Sequence, residues 1–153
     1  MSHHHFLLTP SSWLGQGRIQ LNMVTEELAF VTKWSVGDRN TDGRIECLQE
    51  IQVKGLSDIM HNQFNIFDLS SGEFQIHLEN DALGKIGGKG IINDKIIAWE
   101  FRIEEMGFEG FELYEKQDEH NYLMRAEYAT ADQFRTVIQG KVWKQTEDKK
   151  PGV

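Results

Sequence analysis

Ile97-Ala98-Trp99-Glu100-Phe101-Arg102-Ile103-Glu104 places Ile97, Trp99, Phe101 and Ile103 on one side of an extended chain and Glu100, Arg102 and Glu104 on the other. A helix would scatter those four apolar side chains around its surface. The strict alternation therefore predicts a β-strand with one dry and one wet face.

The same period of two recurs on both sides of this segment. Upstream it gives Trp13, Gly15, Gly17, Ile19 and Leu21, then Leu28, Phe30, Thr32, Trp34 and Val36, then Ile45, Cys47, Ile51 and Val53. Phe64 and Ile66, followed by Phe74, Ile76 and Leu78, flank the tight turn Ser70-Ser71-Gly72-Glu73. Downstream, Tyr122, Met124, Ala126 and Tyr128 share a face, as do Phe134, Thr136, Ile138 and Val142. Turn-forming residues separate the runs, notably Gly37 to Gly43, Asn93-Asp94 and Gln117 to Asn121. The glycine-rich stretch from Gly84 to Ile92 lacks the ending of a phosphate-binding loop and reads as a curved edge or a bulge. Short helices are expected at most over residues 56–62 or 129–135.

These runs predict an all-β fold, a single antiparallel β-barrel of roughly eight to ten strands, because consecutive hairpins pair neighbouring strands and closure protects the last two edges. A β-sandwich is the alternative, since alternation does not specify how the sheet closes. A length of 153 residues suits one domain. The expected division is a flexible N-terminal extension over 1–10, the barrel over 11–145 and a flexible tail over 146–153.

With 39% hydrophobic and 26% charged residues, the chain can bury a core and keep a wet exterior. Its formal net charge of −8 repels polyanions, so nucleic acid is not an expected partner. No run approaches the roughly 20 apolar residues of a membrane-spanning helix, so no membrane insertion is expected and the expected location is cytoplasmic. Cys47, the single cysteine, reads as a reduced packing residue, and His3-His4-His5 as part of the terminal extension.

Trp13 near the first strand, the long meander and the closing Phe134-to-Trp143 segment resemble the lipocalin-like or calycin-like barrels. The resemblance spans about residues 11 to 145 and implies a barrel enclosing a hydrophobic small molecule, although Ser11-Ser12-Trp13 stands where those families carry Gly-any-Trp. Trp13-Leu14-Gly15-Gln16-Gly17 is also similar to the opening strand of nitrobindin-like haem-binding barrels. That likeness implies a histidine ligand near the C-terminal part; no histidine follows His120, and no cofactor or metal is expected. Fatty-acid-binding barrels hold a carboxylate with Arg-any-Tyr, whereas Arg125-Ala126-Glu127-Tyr128 puts its Arg and Tyr on opposite strand faces.

The leading functional expectation is binding of a small apolar or amphipathic ligand, lipids included. Trp13, Trp34, Phe64, Trp99, Phe101, Tyr122, Met124 and Tyr128 are the candidate lining, with Arg102, Arg125 and Arg135 as partners for a ligand carboxylate. The alternative is a structural or protein-interaction domain that uses a sheet edge or aromatic patch toward a protein partner or as a homodimer. An enzyme is the third reading. Glu100, Glu104, Glu127 and Asp132 are available acids, but no motif ties them into catalytic geometry, and no catalytic residue is assigned.

Overall fold

The structure is a computed structural model, and it describes residues 4–145. Ten strands follow one another: β1 (Ser11–Leu21), β2 (Glu27–Arg39), β3 (Ile45–Val53), β4 (Ile59–Ser70), β5 (Glu73–Asn80), β6 (Gly84–Ile92), β7 (Ile96–Ile103), β8 (Phe108–Asp118), β9 (Asn121–Ala129) and β10 (Arg135–Lys144). Each pairs antiparallel with its chain neighbours, and β1 pairs with β10 from Trp13↔Lys144 to Leu21↔Thr136, closing the barrel. The sandwich alternative is thereby excluded. The helical expectations at 56–62 and 129–135 are not met; the one 3-10 turn among the described residues is Glu104–Met106.

Local chemistry explains the hairpins. Ser71 and Gly72 both adopt positive φ, the backbone of a two-residue hairpin turn whose twist matches its strands. Asn93 Oδ1 accepts hydrogen bonds from the Lys95 and Ile96 amides, and Asn40 Oδ1 from those of Asp42 and Arg44. The strand β6 corrects the expectation of a bulge, for it pairs with β5 without a register shift from Glu73↔Ile91 to Asn80↔Gly84. Its pairing with β7 stops at Gly88↔Phe101, so Gly84 to Gly87 border a seam in the wall. Glycine at position 90 is required by packing, since a Cβ there would lie 2.0 Å from the Phe74 ring.

The inward residues are those the alternation selects, and the two ends of the barrel differ. At one end Phe6 and Leu7, fully buried, enter from the segment preceding β1. Phe6 meets Trp13, Trp34, Tyr114 and Tyr122 with ring centroids 4.8–5.4 Å apart. Within the segment expected as a flexible extension over 1–10, residues 4–8 form a plug, because the barrel's inner radius leaves room for a side chain that its wall does not supply. Residues 1–3 and the expected tail over 146–153 lie outside the described residues. Leu7 holds φ at 67°, a conformation costly for a bulky side chain and kept by the packing on both sides of it. His4 fastens the plug, with Nδ1 accepting from the Tyr122 hydroxyl at 2.6 Å and Nε2–H donating to the Asn93 carbonyl.

Cys47 is buried on β3 with its thiol pushed up to about 12 by desolvation, as suits a packing residue.

Burial lowers the His4 pKa below its ordinary 6.5. The released plug therefore takes up a proton more readily than the docked one, and docking weakens as pH falls from 6.5 toward the lowered value. Phe6→Ala is expected to cost about 3–5 kcal/mol in denaturant unfolding. Limited proteolysis is expected to cut near the N terminus faster at about pH 5 than at about pH 7.5. An unchanged cutting pattern would show that His4 does not hold the plug.

Candidate functional site

The opposite end, the mouth, is formed by the loops 22–26, 54–58, 81–83, 104–107 and 130–134. Inward side chains near it, including Ile19, Leu28, Asn80, Phe108, Tyr128 and Ile138, are half-buried, whereas Trp34, Phe64 and Tyr114 deeper in are buried. Phe30, Val53, Leu78 and Ile86 of the same end are buried, so only part of the wall is wet at this mouth. Its loops carry Glu26, Asp58, Asp81, Glu104, Glu105 and Asp132 against the single cation Lys54.

A carboxyl group stands on the inner wall below the mouth. Glu112 of β8 is 6% exposed and sits in register between Trp99 of β7 and Ala126 of β9. The Tyr114 hydroxyl, two residues along the same face, donates to Glu112 Oε1 at 2.8 Å. The Tyr128 hydroxyl donates to Oε2. Tyr128 reaches it by lying over Gly110, where a Cβ would come within 2.2 Å of the ring. Trp99 stacks on Tyr114 at 5.2 Å and Phe108 on Tyr128 at 6.0 Å, which fixes both phenols from behind. Trp99 Nε1 lies on the carboxyl's side and weakly favours its charge, yet neither it nor the buried Trp34 Nε1 has a hydrogen-bond partner among the described residues.

Across the interior runs a ladder of polar side chains. Gln49 Nε2 donates to Thr32 Oγ1 at 3.2 Å, Asn62 Nδ2 to Gln49 Oε1 at 3.0 Å and Asn80 Nδ2 to Asn62 Oδ1 at 3.0 Å. Asn80 Oδ1 accepts from the Leu83 amide at 2.7 Å, which carries the chain of bonds to the rim. The inner wall therefore offers a carboxyl–phenol cluster on β8 and β9 and an amide ladder on β2 to β5. No Lys, Arg or His faces inward in this half among the described residues.

Of the residues expected to line a ligand, Trp13, Trp34, Phe64, Trp99, Phe101 and Tyr122 face inward and are buried. Met124 and Tyr128 face inward and are half-buried. The three arginines expected to meet a carboxylate stand on the outer wall, one position off the inward set of their strands. Arg102 is 63% exposed and lies 3.7 Å from both Glu100 and Glu109; Arg135 lies 3.0 Å from Glu127; Arg125 is exposed. Sequence reading missed Glu112, Asn62, Asn80 and the plug.

No family model and no curated protein sequence matches the chain. Among solved structures, the S-type phycobiliprotein lyase CPES from Guillardia theta superposes with a TM-score of 0.68, covering 90% of this chain and 89% of that chain at 6% identity. The likeness establishes the fold, a lipocalin-like or calycin-like closed β-barrel.

Burial raises the Glu112 pKa above its ordinary 4.5 more than the phenol hydrogen bonds lower it. The native state then holds its proton while the unfolded chain releases it, so stability falls as pH rises from 4.5 through the raised value. Glu112→Gln is expected to melt higher than the wild type at about pH 8 and to lose that lead by about pH 4. A wild-type lead at the higher pH would mean that the two phenols stabilise the ionised form.

Proposed function

We propose that the protein binds a small amphipathic molecule, uncharged or cationic, through the mouth of the barrel opposite the plug. The observation that carries this reading is the Glu112 carboxyl with its two tyrosines, buried on the inner wall directly below that mouth. Burying a carboxyl costs several kcal/mol where an apolar side chain of the same size would cost nothing. Such a group is retained where it orients something.

The charge class follows from the surroundings. The acidic rim repels anions, and among the described residues the inner wall near the mouth supplies no cation to hold a carboxylate. Half-buried Phe108, Met124 and Ile138 supply apolar contact for a hydrocarbon body. A binding protein fits better than an enzyme: Glu100 and Glu127 lie on the outer wall, and Glu104 and Asp132 in exposed loops.

Dodecylamine and dodecan-1-ol, titrated below micelle formation and followed by amide NMR, are expected to shift Phe108, Met124 and Tyr128. Glu112→Gln is expected to weaken the amine by about 10-fold, the scale of one charge-assisted hydrogen bond, and the alcohol far less. Native mass spectrometry of gently purified protein is expected to show a noncovalent adduct that organic extraction removes. Shifts confined to outward residues, or equal losses for both probes, would overturn the proposal.

A further inference from the structure

The outer wall carries a groove of about 910 Å³ that crosses β9, β10, β1, β2 and β3. Two outward rows of side chains build it. The register aligns Leu123, Lys141, Gln16, Val31 and Gln52 in one, and Gln139, Arg18 and Ala29 in the other. Lys54 joins the second row through its amide hydrogen bond to the Ala29 carbonyl at 2.8 Å. Four inter-strand steps of about 4.8 Å give the groove a length of about 19 Å.

Two features of this groove are unusual for a barrel exterior. Its floor is apolar, with Ala29 beside Val31 at 55%, Leu56 at 59% and Leu123 at 47% exposure. Its polar lining consists of amides and the cations Arg18, Lys54 and Lys141, with no Asp or Glu, on a chain of net charge −8. None of these three cations makes an ion pair among the described residues. Arg102 and Arg135 elsewhere on the outer wall are paired with glutamates. An acidic protein that leaves several cations unpaired around an apolar trough has a surface complementary to an anionic amphiphile.

We propose that this groove is a second binding site, for a small anionic amphiphile whose hydrocarbon body lies along Ala29, Val31 and Leu123. Its carboxylate or other acidic head pairs with Arg18 and Lys141. A volume of about 910 Å³ lies within the range of small-molecule sites. The site differs from the barrel mouth in position and in the sign of its charge, so either can fail alone.

The test uses dodecanoate below its micelle concentration, with dodecan-1-ol as the uncharged control, on the full chain. Amide NMR is expected to show dodecanoate shifting Gln16, Arg18, Val31, Leu123 and Lys141 while Phe108 and Tyr128 stay still. Calorimetry is expected to give at least about 10-fold weaker binding for Arg18→Gln with Lys141→Gln, at an unchanged melting temperature because both side chains are exposed and unpaired. Ala29→Trp, which fills the trough without altering charge, is expected to weaken binding as well. Raised salt should weaken dodecanoate and spare dodecan-1-ol. Equal shifts of the groove amides by the two probes, dodecanoate shifts at inward residues, indifference of dodecanoate binding to the substitutions, or a dimer in size-exclusion chromatography that masks the groove residues would each overturn the assignment.

Discussion

The hydrogen-bonded ladder between β1 and β10 turns an antiparallel meander into a ring. Closure leaves no sheet edge and assigns every strand one face inside and one outside, so a single parity decides which side chains share the interior. It also imposes a volume that the wall's own residues must fill. In the half below the plug they do not suffice, and Phe6 completes the cluster between Trp13, Trp34, Tyr114 and Tyr122.

From that asymmetry follows the division of labour along the barrel axis. The plugged half is an aromatic core in which Trp34 meets Phe64 at 5.2 Å and Tyr114 at 6.2 Å, contacts that favour rigidity over space. The open half carries polar side chains on the same inward parity: the Glu112 cluster on one side, the ladder from Thr32 to Asn80 on the other. The ladder reaches a backbone amide at the rim, so its bonds can be satisfied in place. Glu112 is satisfied by donors but keeps its desolvation penalty, which makes it the group whose presence packing alone does not explain.

The strands and their inward faces were legible because one signal, alternation, is set by the same pleat that sets burial. Trp99 and Phe101 identify β7 without help from any other segment. The arginines were legible too: Arg102 lies between inward Phe101 and Ile103, and Arg125 between inward Met124 and Ala126, which fixes both outside. Glu112 was harder, because Phe108 to Tyr114 places apolar and acidic residues on both parities; register against Trp99 and Ala126 decides its direction, and register is a long-range property. A weak sign of the amide ladder stood in the sequence at Gln49, between Cys47 and Ile51 on an otherwise apolar face. The plug left no periodic trace, since Phe6 and Leu7 sit in a turn next to a histidine run.

Net charge conceals how the charge is placed. A value of −8 argues against anionic partners for the molecule as a whole, yet the lining of the groove holds three cations and no acid while the mouth loops hold six acids and one cation. Within about 8 Å at physiological salt a ligand responds to its local surroundings and not to the sum. The mouth, ringed by six carboxylates, and the groove, bordered by Arg18 and Lys141 with Lys54 where it meets the mouth loops, therefore present opposite potentials on one small barrel. Because the inner face of each strand is taken by the core and the mouth, the outer face is the only other place where the fold can build a second chemistry. It does so where Ala29, flanked by Arg18 in register, keeps the wall low enough to form a trough.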